Sequence, residues 1–237
     1  MQGLTPRLAA VAAFVLPGAP MADIGTDHAY LPVALVATGT VPRAVATDLR
    51  PGPLSAARVT IDAAGLAARV ETRLGSGLAA LRGGDVATVV LAGMGGPLIA
   101  DLLAAAPAAV LAGVRRLVLQ PMAGEAALRR RLPELGWRIV DEDLVADGGR
   151  LYLVIVAAPA GPGAYTAPGD ELDALLGPVL RRRRGKLFAA YARSLAARLA
   201  RAARAAESAR NEAGRARAGA LRAAAERVRQ AAEEAEG

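Results

Sequence analysis

The sequence predicts an α/β domain built on a mainly parallel sheet, followed by a separate helical segment. Three observations carry this reading. Strand-like runs alternate with helical ones through the first 145 residues, the last two strand-like runs are joined only by "ADGG", and the pattern turns wholly helical after "APAGPGAYTAPGD" at 158–170. Alternation of this kind implies βαβ crossovers and parallel strands. A four-residue link is a hairpin loop instead, so the seventh strand is expected to run antiparallel.

Each element has its own signal. An opening helix is expected over 5–16, with Thr5 as cap and Pro6 in the first turn. Strands are expected at 20–24, 43–49, 69–74, 86–92, 115–121, 137–145 and 150–158, from their β-branched and aliphatic runs. Helical spans fall between the first six, at about 30–38, 52–64, 77–82, 96–111 and 124–134. The Pro- and Gly-rich stretch reads as a linker, giving domains at 1–160 and 161–237. Beyond it, Leu172, Leu176, Leu180, Leu187, Tyr191, Leu195 and Leu199 recur at near multiples of four, as in one helix. A break around 210–219 precedes a second helix marked by Leu221 and Val228. Two narrow apolar stripes with a short connection predict an antiparallel helical hairpin or coiled coil.

Composition narrows the function. Hydrophobic residues make up 54% but aromatics only 3%, so the core must be aliphatic. The absence of cysteine excludes disulfides, thiolate metal sites and thiol nucleophiles, and one histidine, His28, cannot build a typical metal site. No apolar run reaches the roughly 18 residues that span a bilayer. The segment after Arg7, "LAAVAAFVL" and then "PGAPMA", loosely resembles an export signal, but cleavage there would remove the lead-in to Asp23. A cytoplasmic protein is expected. The net charge of +7 is uneven: residues 1–160 hold 14 arginines against 13 acids, whereas 161–237 hold 14 arginines and one lysine against 9 acids. A basic tail of this kind reads either as a solvated helical surface or as a site for a polyanion such as RNA.

The stretch "ADIGTDHAYLP" (22–32) carries the first chemistry. Gly25 can turn sharply after the first strand and let a ligand approach the backbone, and the following helix offers a positive N-terminus. Asp23 and Asp27 suit a cationic ligand group, and His28 sits beside Asp27 in the same loop. Asp48 ends the second strand about 20 residues on, where an acid accepts hydrogen bonds from a ribose. Nicotinamide dinucleotides and S-adenosylmethionine both have that ribose, so Asp48 does not separate them. In "RLGSGLAAL" (73–81), Gly75, Ser76 and Gly77 can wrap an adenine. In "VVLAGMGGPLI" (89–99), Gly93, Gly95 and Gly96 surround Met94 at the mouth of the fourth strand, where α/β enzymes place reacting groups. On the tail, Arg181, Arg182, Arg183, Arg184, Lys186 and Arg193 form a cluster able to meet phosphates.

Six strands with crossovers and a seventh inserted by a hairpin is the pattern of Rossmann-like class I methyltransferases. The blocks "ADIGTDHAYLP", "AVATDLRPGPL", "RLGSGL", "LAGMGGPLI", "LVLQP", "GW" and "GRLYLVI" together resemble the bacterial tRNA (adenine-22-N1)-methyltransferase family, the TrmK type. The resemblance runs from about Leu4 to Ala157, and "LLGPVL" (175–180) matches the start of that family's helical tail. It implies a methyltransferase domain followed by a coiled-coil domain that contacts tRNA. It implies S-adenosylmethionine as donor, held by Gly25 and Asp48, and methyl transfer to N1 of an adenine in tRNA. It also implies that Gly93-Met94-Gly95-Gly96 replaces the Asn-Pro-Pro-Tyr-like motif of other adenine methyltransferases, and that Asp27 is important for the reaction. Relatives commonly carry Asp where this chain has Ser76, so a hydroxyl stands in place of a carboxylate. A dehydrogenase, and an RNA-binding protein that transfers no methyl, are the other classes compatible with parts of the pattern.

Overall fold

The computed structural model describes residues 3–161, 169–208 and 211–236. The chain divides into two compact units, Met1–Ala167 and Pro168–Gly237.

In the first unit, α1 (Pro6–Ala13) leads into β1 (Met21–Ile24), α2 (Tyr30–Ala37), β2 (Ala44–Asp48), α3 (Pro51–Ala63), β3 (Val70–Leu74) and β4 (Thr88–Gly95). Then come α4 (Gly96–Ala104), α5 (Ala108–Leu111), β5 (Arg116–Ala123), α6 (Glu125–Glu134), β6 (Trp137–Asp147) and β7 (Arg150–Pro159). The seven strands form one sheet in the order β3-β2-β1-β4-β5-β7-β6. The first five are parallel, and β7 runs antiparallel between β5 and β6, as a two-residue turn at Gly148–Gly149 requires. The strand order reverses between β1 and β4, which stand third and fourth of the seven. In open α/β sheets that reversal opens a crevice outside the strand C-termini.

Burial of both sheet faces explains the near-continuous aliphatic strands: every residue of β1 and β2 is buried. The core joins Val11 and Val15 near α1 to Leu35 and Val36 of α2, Ile61 of α3 and Val90, Val118 and Val156 of the sheet. The N-terminal segment that loosely resembled an export signal is thus a core-forming helix, capped by Thr5, whose hydroxyl accepts the Leu8 N–H.

The structure revises four details. The helical span expected at 77–82 is a single 3-10 turn at Gly77–Ala80. The one at 96–111 is broken ahead of Pro107, which lacks an N–H and disfavours helical backbone in the residue before it. The fourth strand continues to Gly95 through two irregularities in its pairing with β5, at Ala92/Met94 and Met94/Gly95. The long first tail helix is instead three: α7 (Glu171–Leu176), α8 (Pro178–Arg183) and α9 (Phe188–Glu207). Gly177, at φ 96°, and Arg184, at φ 44°, are left-handed residues that end successive segments.

The second unit closes with α10 (Glu212–Glu233), packed along α9. Asn211 caps α10 by accepting the Gly214 N–H, so 212–219, expected as a break, is helical. Residue 210 of that expected break lies outside the described residues. Gly214, Ala218, Ala225, Val228 and Ala232 are buried on α10, at spacings that keep one stripe facing inward. Small side chains in that stripe let the two helices approach closely.

One buried ion pair ties α6 to the sheet. Arg129 Nε donates to Glu142 Oε1 at 2.8 Å, and both side chains are fully buried. Removing one partner strands the other charge in a low-dielectric interior. Arg129→Met is therefore expected to cost about 3–5 kcal/mol in denaturant unfolding, and adding Glu142→Leu to recover much of that loss. A single variant as stable as the parent would show the pair to be dispensable.

Candidate active site

The crevice is floored by the loop between β1 and α2. Gly25, at φ +72°, turns the chain, and its N–H and that of Thr26 both donate to the Thr47 carbonyl on β2, at 2.8 and 2.9 Å. A Cβ on Gly25 would come within 2.4 Å of Met94 Cε. Two sequence-predicted residues from separate strands are thereby brought into direct contact. Asp27 (φ 55°) and Ala29 (φ 56°) follow as left-handed non-glycine residues. Such backbone is costly for residues with a Cβ and clusters at functional sites. Here it turns Asp27 and His28 outward: their side chains are 69% and 45% exposed, and Asp27 Oδ2 lies 3.7 Å from His28 Nε2. The His28 ring stacks on Tyr30, with centroids 5.2 Å apart and planes at 14°.

Asp23 lies below this loop and is buried. Its Oδ2 accepts the Thr26 hydroxyl at 2.8 Å, which locks the turn to the strand. Burial pushes the carboxyl up to about 6, against the Thr26 hydrogen bond and the charge of Arg7, with a further upward push from Asp48. Asp48, also buried, ends β2, and its Oδ1 accepts the Arg50 N–H at 2.9 Å.

The glycines separate by physical role. Gly77 (φ +53°) and Gly93 (φ +78°) need left-handed backbone, and a Cβ on Gly77 would strike Leu102. A Cβ on Gly96 would come within 2.4 Å of the Gly124 carbonyl, so Gly96 is required for α4 to pack on the chain leading into α6. Gly95 has room around it. Ser76 is exposed between β3 and the 3-10 turn, and its side chain does not cap that turn. Of the tail residues, Arg181 pairs with Asp170 and Asp173, Arg184 with Glu234, and Arg193 with Glu236, while Arg182, Arg183 and Lys186 are exposed on the same unit.

Three features of the crevice escaped sequence reasoning. Arg7 Nη1 donates to Gln120 Oε1 at 2.8 Å, and the same oxygen accepts the Gly93 N–H at 3.2 Å. Arg7 also donates its backbone N–H to Asp147 and lies over the Tyr152 ring at 5.6 Å. Helix α1 thus braces the Gly93–Met94 turn through fully buried Gln120. Thr26 is the second, since nothing in "GTD" announces its bond to Asp23. The third is an apolar rim: Tyr30, Leu49, Leu74, Leu98 and Met122 are large side chains left 44–67% exposed at the C-terminal edge of the sheet. Such a group marks a ligand surface. Polar Gln120 inside an aliphatic strand was the one available signal. Among the described residues no group of three or more acids or histidines could hold a metal ion.

Two expectations follow from this geometry. A carboxyl raised from 3.8 to about 6 stabilises the fold below pH 4 relative to neutral pH, and that contribution is lost as pH rises through 6. Asp23→Asn should therefore gain stability relative to the parent between pH 4 and 7, by up to about 3 kcal/mol, in paired unfolding curves. A constant difference across that range would show the carboxyl to be unperturbed. Gly25→Ala should cost about 1–2 kcal/mol in backbone strain. Adding Met94→Ala removes the steric contact but not the strain, so the double variant should stay destabilised; full recovery would show that the contact alone matters.

Comparison with known proteins agrees with this geometry. A family model described as a methyltransferase domain matches residues 4–155. The tRNA (adenine(22)-N(1))-methyltransferase of Bacillus subtilis is 36% identical over 187 residues, which cover 78% of each chain. The crystal structure of the B. subtilis m1A22 tRNA methyltransferase TrmK superposes with a TM-score of 0.83, at 28% identity over 99% of both chains. That of a candidate tRNA (m1A22) methyltransferase from Streptococcus pneumoniae, in complex with S-adenosyl-L-methionine, does so with a TM-score of 0.80 and 32% identity, over 98% of this chain and 99% of that one. Matched by a methyltransferase family model over residues 4–155 and by a 36% identical relative over 78% of each chain, the chain belongs to the bacterial tRNA (adenine(22)-N(1))-methyltransferase family.

Proposed function

We propose that the chain transfers a methyl group from S-adenosylmethionine to N1 of the adenine at position 22 of tRNA. The observation that carries the reading is the loop from Asp23 to Tyr30. It puts a cofactor-type glycine turn and an outward carboxylate within four residues of each other, at the central crevice of a methyltransferase fold. Family membership and a relative solved with the donor support it.

The residues fit that donor. Gly25 and Gly93 both take left-handed backbone beside the crevice, and the space next to Gly93 is open for a ligand. Asp48 accepts hydrogen bonds from the ribose, and Asp23 supplies negative charge beneath the cationic part. Helix α2 has no side-chain cap, so its first turn can receive a carboxylate. Leu49 and Leu74 offer apolar walls to the adenine, with Ser76 and Gly77 at its edge. When bound, S-adenosylmethionine supplies an electrophilic methyl carbon on a sulfonium.

Adenine N1 carries a lone pair at neutral pH and needs no strong base. The protein's task is to hold the base in line with the methyl carbon and to exclude water. Tyr30, stacked on His28, and Met94 form the surfaces against which a flat base can lie. Positive charge moves onto the adenine as the bond forms. Asp27 stabilises that charge and accepts a hydrogen bond from the N6 amino group. The carboxylate is exposed in the free protein, and cover by the base lowers the local dielectric and strengthens its effect. On the helical unit, Arg181 to Arg184, Lys186 and Arg193 would contribute positive potential towards the tRNA.

Two measurements test this. Labelled donor incubated with tRNA carrying A or G at position 22 should label only the A22 species, as 1-methyladenosine; equal label on G22 would rule out the site assignment. Asp27→Asn should lower kcat roughly a hundred- to thousandfold and leave donor affinity within a few fold. Near-normal turnover in that variant would remove Asp27 from the chemistry.

A further inference from the structure

We propose that the tip of the α9–α10 hairpin, presenting Arg201, Arg204, Arg215 and Arg217, is the surface on which the helical unit meets the tRNA phosphate backbone. The proposal rests on the RNA-methylating reading above and concerns where the polyanion sits.

Positive charge in this unit is strongly sorted. Between Arg198 and Arg222 there are seven arginines and two glutamates, a net of +5. The remainder of 161–237 holds eight basic residues and seven acids, a net of +1. The pairing pattern sharpens the contrast. Away from the tip, Arg181 pairs with Asp170 and Asp173, Arg184 with Glu234, Arg193 with Glu236, and Arg229 with Glu226 and Glu233, while Arg182, Lys186 and Arg227 are exposed there without an ion pair among the described residues. At the tip, Arg222 pairs with Glu207. Arg201, Arg204, Arg215 and Arg217 are exposed and make no ion pair among the described residues. A paired arginine must surrender its carboxylate before it can meet a phosphate. An unpaired one exchanges only water and counterions, and gains from counterion release.

The surroundings select the partner. Arg201 and Arg204, three residues apart, share a face of α9, and the residues between the four arginines are mostly alanine. Guanidinium forks match phosphate oxygens. The large hydrophobic side chains exposed among the described residues all belong to the first unit, so the tip has no apolar anchor for a protein partner or a bilayer. What remains is a rigid basic prong suited to a structured polyanion.

The test uses the full-length chain and tRNA, with affinity measured from about 50 to 200 mM salt. The variant Arg201→Ala/Arg204→Ala/Arg215→Ala/Arg217→Ala should retain its helix content, because alanine is the strongest helix former. Its log–log salt slope should shrink by about 3, and its affinity at the lowest salt should fall at least about tenfold. The KM for tRNA should rise while the KM for the donor holds. Changing the same four residues to lysine should preserve the slope. A control variant at the other end, Arg229→Ala, whose side chain is paired with Glu226 and Glu233, should change the slope by less than about 1. A parent protein that methylates tRNA while the tip variant keeps its full slope overturns the proposal, as does an equal loss at the other end. A parent that neither binds nor methylates tRNA overturns the functional reading instead, and the tip assignment with it.

Discussion

The site depends on a place where the chain has no room for a side chain. Gly25 turns the backbone at the C-terminal end of β1, and the methyl of Met94 from the neighbouring strand closes directly over it. A larger residue would lift Met94 away and force left-handed backbone on a residue with a Cβ. Because that turn is tight, the loop must use its next residues to reach α2, and Asp27 and Ala29 both adopt left-handed backbone to do so. The outward aim of Asp27 and His28 is thus a geometric consequence of the turn at Gly25.

Two buried polar arrangements keep the turn in place. From below, Asp23 accepts the Thr26 hydroxyl and stays partly destabilised by burial, a cost that positive charge in the crevice would relieve. From the side, Arg7 and Gln120 hold the N–H of Gly93, so the first helix of the chain supports a loop more than 80 residues away. Neither arrangement contains an obvious reacting group. Both determine where the reacting groups stand, and such supporting contacts are what keep a site within the tolerance that transfer chemistry requires.

The helical unit follows a different logic. Its two long helices bury alanines together with Phe188, Tyr191, Leu195 and Val228, and its surface character comes from where charges are cancelled. Carboxylates are concentrated towards the chain's end, where they neutralise the arginines of α8 and α9, and are scarce where the hairpin turns. A charge cluster counted along the chain and charge left uncancelled in space therefore coincide only in part, since Arg181 and Arg184 are paired while Arg182 and Lys186 are not. The linear reading found the first, at Arg181 to Arg184; the fold exposes the second, around Arg201 to Arg217.

Much was legible in the residues themselves. The seven strands and the antiparallel β7 were readable because burial on both faces demands aliphatic runs, and a turn as short as that at Gly148–Gly149 admits only a hairpin. The turn at Gly25 and the strand-end position of Asp48 were readable because glycine after an apolar strand and an acid before Pro51 mark local backbone changes. Helix breaks were less legible: Gly177 and Arg184 interrupt a leucine periodicity that looks continuous, since local backbone conformation overrides the stripe. Residues that work through partners distant in the chain were invisible, and Arg7, Thr26 and Gln120 are of that kind. By itself the sequence determined the strand and turn framework and the chemical types at the crevice, because those obey local periodicity and backbone sterics. Only the tertiary structure decided that Met94 seals Gly25, that α1 braces the fourth strand's glycine turn, and which arginines keep their charge unshared, because each of these is a distance between residues that the chain itself holds far apart.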